Sequence, residues 1–308
     1  MGSRHAVVGF ALALAPILVA CGEKFTSAPA QPGGPDAGQD APASPGGSGG
    51  ASGIGGDGGS GGSAAEGGDG GTAGVADSSP PDGTVDPAIP RDGLLLWLRA
   101  DRGVALTSGD VATWSDQSRN AADATQAAPE RRPRLARTEP GGGASLEFDG
   151  IDDFLDLPSG FADFSAGVSI FAVALHRASD VCVAVLHLSN GSEEADLNLG
   201  VSDGRLLYEV DVQANFGDPV PADVPLLWAV VHQPDHSYEL RLNRQPAGSG
   251  ESGLPEVVER AQNSVANSLY AGCGTFPGQI AEVLVYARAV SPPELDAIEE
   301  YLQTRVGS

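Results

Sequence analysis

The chain has 308 residues, with 41 acidic side chains against 17 basic ones and a formal charge of −24. That balance offers phosphates no basic footprint and argues against nucleic acid as a partner. The 43 glycines and 23 prolines fit one ordinary domain joined to a low-complexity segment.

In chain order, Arg4 supplies a short positive start and Ala6–Ala20 a largely apolar run. The run is shorter than the ~20 residues a spanning helix needs and suits the apolar part of a secretory signal. It ends Leu18-Val19-Ala20-Cys21, which resembles the cleavage box of bacterial lipoproteins. That resemblance implies a signal peptide over 1–20 and a lipidated Cys21, anchored in a membrane through several acyl chains. Gly22 in place of an acidic residue implies, by the same resemblance, an outer-membrane lipoprotein facing the periplasm or the surface. Residues 21–90 then read as a tether. Gly, Ser, Ala, Asp and Pro dominate it, and from Glu23 to Pro90 nine acids face Lys24 alone. No apolar periodicity offsets the cost of ordering such a segment. Its two G-x-S-x-G matches, Gly46–Gly50 and Gly58–Gly62, lack a preceding strand and a following helix and follow from composition.

Residues 91–308 read as one domain rich in short strands: Leu94–Leu98, Val111–Trp114, Val168–Leu175, Val181–Leu188, Leu197–Val201, Leu206–Val212, Leu226–Val231, Tyr238–Leu242 and Ile280–Tyr286. Turn residues such as Asn190-Gly191 and Asp203-Gly204 separate them. Many short strands with one terminal helix predict an all-β sandwich of two antiparallel sheets. The helix spans Ser291–Arg305, with Ser291 as N-cap, Pro292 at the first position and Glu294 closing a capping box. Leu295, Ile298, Leu302 and Val306 form its apolar stripe. At the centre, Leu146/Phe148 and Phe154/Leu157 alternate around Asp149-Gly150 and predict a tight hairpin.

The motifs L-L-L-W-L-R-A-D (94–101), V-A-T-W-S-D-Q-S (111–118), A-D-A-T-Q (122–126), E-F-D-G-I-D-D-F-L (147–155) and G-Q-I-A-E-V-L-V-Y-A-R-A-V-S (278–291) precede the final helix in this order. Together they resemble a bacterial laminin-G-like domain of the concanavalin A-like lectin/glucanase superfamily. The resemblance covers nearly all of 91–308 and implies a jelly roll with one convex and one concave sheet.

Several residues are candidates for chemistry. Asp149, Asp152 and Asp153, with Asp116 and Asn120 from the W-S-D-Q-S-R-N loop, form a candidate oxygen-ligand calcium site; the alternative is a turn whose carboxylates hold backbone N–H groups or pair with Arg. Glu282 lies in an apolar strand and needs a partner, an Arg or an ion; alternation groups it with Ile280, Leu284 and Tyr286. Glycoside hydrolysis needs two flanking carboxylates. Laminarinase-like relatives carry E-x-D-x-x-E or E-x-D-x-E, and the nearest run here has Glu209 and Asp211 on one face but Gln213 and Ala214 where the second Glu belongs. Glu194 and Asp196 fail in the same way. Glu209 and Asp211 then read as a solvent face or as sugar-binding groups on a concave sheet, and Tyr208, Phe216 and Tyr238 as core packing or as the candidate stacking platforms. Cys182 and Cys273 form a disulfide pair in an exported domain, with a buried free thiol as the rival reading. The expected function is non-catalytic binding of a polysaccharide or a surface protein at the cell envelope. A glucanase-type hydrolase and a plain surface spacer are the alternatives.

Overall fold

The computed structural model describes residues 89–137, 143–191, 194–270 and 272–306. The signal sequence, Cys21 and nearly all of the tether expectation lie outside the described residues.

The described chain begins with β1 (Leu94–Arg99), β2 (Val104–Thr107), β3 (Asp110–Trp114), β4 (Ala124–Thr125), a 3-10 turn at Pro129–Arg131 and β5 (Arg134–Arg137). It continues with β6 (Ala144–Asp149), β7 (Leu155–Leu157), β8 (Val168–His176), β9 (Cys182–Leu188), β10 (Leu197–Ser202) and β11 (Arg205–Val210). Then come β12 (Gln213–Pro219), β13 (Pro225–His232), β14 (Ser237–Leu242) and β15 (Gln245–Glu251). β16 (Asn263–Val265), β17 (Cys273–Gly274), β18 (Pro277–Tyr286) and α1 (Pro292–Gln303) close the chain.

These strands form two sheets. The smaller runs β15-β14-β13-β8-β18-β6-β5, with β1 paired on β18; the larger runs β12-β11-β10-β9-β16-β7-β4-β3-β2, with β17 on β9. The pairing is antiparallel except for β17 on β9. The strands of the expected sandwich are present, and the alternation that predicted them sets the packing. Ile170, Ala172 and Ala174 of β8 and Leu197, Leu199 and Val201 of β10 meet between the sheets around Trp114, Trp228 and Phe276. The other face of the small sheet is apolar as well. Trp97, Phe171, Leu227, Leu284 and Tyr286 lie there under Ile298 and Leu302 of α1. The capping box forms, with the Ser291 N–H donating to Glu294 Oε2 at 2.8 Å.

Two local expectations are corrected. The strands flanking Asp149-Gly150 do not form a hairpin: β6 belongs to the small sheet and β7 to the large one. Asp149 Oδ1 accepts the N–H groups of Ile151, Asp152 and Asp153, and Asp153 Oδ2 accepts the Asp149 N–H at 3.0 Å. This self-closed acidic loop carries the chain from one sheet to the other at the sandwich edge. Gly150 has φ +76 and a Cβ there would lie 2.6 Å from the Pro277 Cβ, so only glycine fits. Along β18, a register shift between Ile280 and Glu282 breaks the simple alternation. Ile280, Val283 and Val285 pack between the sheets, while Leu284 and Tyr286 face α1 and Glu282 reaches α1 from the same side. A bulge adds one residue and re-aims every side chain beyond it.

Candidate functional site

A cleft of about 550 Å³ opens beside the acidic loop. Strand β5 at the edge of the small sheet, the start of β3 and the 3-10 turn form its walls. Three arginines line it, Arg132, Arg134 and Arg177, opposed by Asp110, Glu130, Glu147, Asp149 and Asp153, with Pro129 as the apolar contribution. Arg177 Nη2 lies 2.7 Å from Glu147 Oε1. Arg132 is fixed by the carbonyls of Gln126 and Ala127. The side chain of Arg134 is 81% exposed, and its Nε lies 3.9 Å from Asp110 Oδ1. The site thus offers hydrogen-bond donors and acceptors side by side in the open, with Arg134 as its most available donor. Burial pushes the Asp153 carboxyl up to about 6, and the neighbouring charges of Asp149 and Asp152 add to this against the Asp149 N–H.

The acidic loop brings one oxygen each from Asp149, Asp152 and Asp153 within 4.8 Å of one another. Those three residues could hold an oxygen-ligated cation, although Asp149 Oδ1 and Asp153 Oδ2 already accept the loop's own N–H groups. The structure does not bring Asp116 and Asn120 to them. Asp116 accepts the backbone N–H groups of Trp97, Ser118 and Ala122, and the Asn120 amide donates to the carbonyls of Leu94 and Leu95. Both pin the 115–122 loop onto β1, and their polar atoms are used in doing so.

Along β11, Leu206, Tyr208 and Val210 turn inward, leaving Leu207 and Glu209 outward. Tyr208 is therefore no stacking platform. It is fully buried, its hydroxyl donates to His232 Nδ1 at 2.8 Å, and His232 Nε2 donates to the Ser252 carbonyl at 3.0 Å. Tyr238 packs against the same cluster. Phe216 on β12 is the exposed aromatic of the set, at 44%. Glu209 is buried, so it is not a solvent-facing group. Its expected companion Asp211 falls beyond the strand in a left-handed turn at φ 53, so strand alternation no longer places the two together. Burial, aided by the charge of Glu256, raises the Asp211 carboxyl above its ordinary value.

The residue row that sequence reasoning missed crosses the outer face of the large sheet. Glu209, Asn198, His187, Ser264, Asp156, Thr125 and Thr113 are successive cross-strand partners from β11 to β3. Its signal in the sequence is a polar residue at alternate positions of otherwise apolar strands, as in L-H-L and L-N-L-G-V. Glu282 has the partner its burial demands, and more than the expected Arg. Trp97 Nε1 and the Tyr301 hydroxyl donate to Oε1 at 2.6 and 2.7 Å, and Arg305 Nε stands 3.4 Å from Oε2. Burial nevertheless pushes this carboxyl up to about 7. Cys182 and Cys273 are bonded where β17 pairs with β9, their Cα atoms 4.5 Å apart. Among the described residues no helix is long and apolar enough to cross a membrane.

No protein-family profile matches this chain, and no curated protein sequence does. Among solved structures it is similar to the binding domain of Paraclostridial Mosquitocidal Protein 1, at 9% identity and a TM-score of 0.51, over 69% of this chain and 53% of that one. It is also similar to domain 4 of AbnA, a GH43 extracellular arabinanase from Geobacillus stearothermophilus solved in complex with arabinotriose. There the identity is 14% and the TM-score 0.50, over 66% of this chain and 97% of that one. A Trypanosoma rangeli sialidase aligns at 14% identity and a TM-score of 0.49, over 75% of this chain and 37% of that one. This chain therefore spans about half the length of the first of these proteins and about a third of the sialidase. At such identities the likeness is one of fold, a β-sandwich of jelly-roll type.

Proposed function

We propose that this chain is a lipid-anchored, non-catalytic binding protein of the cell envelope whose jelly-roll domain takes a carbohydrate. The observation that carries the reading is the open cleft beside the acidic loop, where Arg134 and Arg177 stand opposite Asp110 and Glu147. A sugar presents hydroxyls that donate and accept at once, and such a lining answers both roles. The motif order from L-L-L-W-L-R-A-D to the capped helix supports the laminin-G-like reading of the sandwich. The arabinotriose bound to the similar arabinanase domain suggests a first probe. The run from Glu209 carries Gln213 and Ala214 where laminarinase-like relatives place their second Glu, which supports binding without hydrolysis there.

The test uses the full chain in calorimetric titrations with arabinotriose and, as an anionic probe, oligogalacturonate. Binding of one of them, weakened about tenfold by Arg134→Ala as expected for loss of a charged hydrogen bond, supports the cleft. Absence of binding to either, with capture of a surface protein instead, moves the reading to protein adhesion. Release of reducing sugar from the probe overturns the non-catalytic part. The anchor has its own test: Cys21→Ser shifts the protein from the membrane fraction to the soluble fraction, and continued retention in the membrane counts against lipidation.

A further inference from the structure

Three buried acceptor oxygens without a donor among the described residues belong to Asp196 just before β10, Asn198 on β10 and Asp211 in the turn after β11. Asn198 faces His187 on one side and Glu209 on the other. Asp196, just before β10, joins the polar row through its Oδ1, 3.1 Å from Nε2 of His187, the cross-strand partner of Asn198. Asp211 lies opposite Asp196, its N–H donating to the Asp196 carbonyl at 2.8 Å. Asp196 and Asn198 are both 0% exposed.

The proton inventory is short. His187 Nδ1 accepts the Leu269 N–H at 3.0 Å, so the ring proton sits on Nε2 and goes to Asp196 Oδ1 at 3.1 Å. The Asn198 amide donates to Glu209 Oε2 over a long 3.4 Å. Asp196 Oδ2, Asn198 Oδ1 and Asp211 Oδ1 are then left buried with no hydrogen-bond partner among the described residues. Such groups in a native fold are normally satisfied. The nearby cation, Arg260, does not serve them through hydrogen bonds. Its guanidinium donates to the carbonyls of Ala195, Phe161, Val258 and Glu256.

We propose that Asp196, Asn198 and Asp211 hold a calcium ion. Every unmatched atom is a hard oxygen, two from carboxylates and one from an amide, which is the donor set Ca²⁺ takes in a shell of six to eight. A cation also answers the surplus of negative charge that Asp196, Asp211 and Glu256 place around Arg260. A sugar is too large for the position. The Leu269 segment lies on His187 and the Arg260 segment on Ala195, and the side chains of Asp196 and Asn198 have no surface open to a bulky ligand. At the acidic loop, by contrast, Asp149 Oδ1 and Asp153 Oδ2 already accept backbone N–H groups.

The full chain, stripped with chelator, is titrated with Ca²⁺ alone and melted with and without the ion. One equivalent of calcium that raises the melting temperature is expected. Asp196→Asn is expected to weaken binding at least tenfold, while Asp152→Ala leaves it unchanged. Asp211→Asn, at a position that reaches the surface, tests the same site where Asp196→Asn fails to fold. Absence of calcium binding to the wild type overturns the proposal. So does wild-type affinity in Asp211→Asn, or binding that is lost in Asp152→Ala and kept in Asp196→Asn, which would move the ion to the acidic loop.

Discussion

The two sheets of this sandwich turn very different faces outward. The small sheet presents Trp97, Phe171, Leu227, Leu284 and Tyr286, an apolar surface that exists to be covered, and α1 covers it with Ile298 and Leu302. The large sheet presents a polar cross-strand row from Thr113 to Glu209. Each face contains buried carboxylate chemistry, but the outcome differs. On the covered face Glu282 has two neutral donors and an arginine. On the polar face Asp196 keeps one oxygen without a donor among the described residues. A fold that spends three side chains on satisfying one carboxylate has a structural use for it. A fold that buries an unsatisfied one calls for a further partner, which is the role proposed for calcium.

The sharpest way to break the polar face is to cut its staple. The Cys182–Cys273 bond closes a loop of 91 residues and ties the segment after β16, which includes Leu269, to β9 beneath it. Closing a loop of that length is worth about 4–5 kcal/mol in the chain-entropy model. The paired substitution Cys182→Ser with Cys273→Ser should therefore lower unfolding stability by about that amount in urea titrations. Hydrogen exchange at the Leu269 and His187 amides should rise more than at Leu284 on the helix-covered face. Equal increases on both faces would mean the bond stabilises the sandwich as a whole and not the cover of the polar row.

The contrast also separates what sequence discloses from what it conceals. Strands β8, β9 and β13 were legible as near-continuous apolar runs between turn residues, β10 by its alternation, and α1 because Ser291, Pro292 and Glu294 mark its start. Strands β12 and β15 were not: they read Q-A-N-F-G-D-P and Q-P-A-G-S-G-E, and backbone pairing at a sheet edge, not side-chain burial, makes them strands. The acidic cluster at Asp149 was visible as a concentration of charge. That its flanking strands belong to different sheets was not, because a local pattern carries no information about which sheet each half joins. The cleft needed Arg134, Arg177 and Asp110 from distant parts of the chain, and no spacing links them. Of its two readings Tyr208 takes packing, because alternation along β11 puts it with Leu206 and Val210 between the sheets.

The smaller perturbation sharpens the covered face and concerns proton linkage. Glu282 has its carboxyl raised from 4.5 to about 7 by burial. A raised folded-state value means that the folded chain holds the proton more tightly than the unfolded chain. The associated stability is fully present below pH 4.5 and is lost as pH rises through about 7. His176 and His232 act in the other sense. Burial lowers both, so their contribution is present above about pH 6.5 and is lost as pH falls below it. The wild-type curve is the sum of these opposed limbs and does not isolate Glu282. The difference between Glu282→Gln and wild type does, because the histidines cancel. That difference should move in favour of the variant as pH rises from 4.5 to 8, by up to about 3 kcal/mol for a shift of this size, as read from urea midpoints. A difference that stays flat over the interval would mean that Arg305, with Trp97 and Tyr301, keeps the carboxylate as stable in the fold as in water. The two faces would then differ in the number of donors supplied, and not in proton affinity.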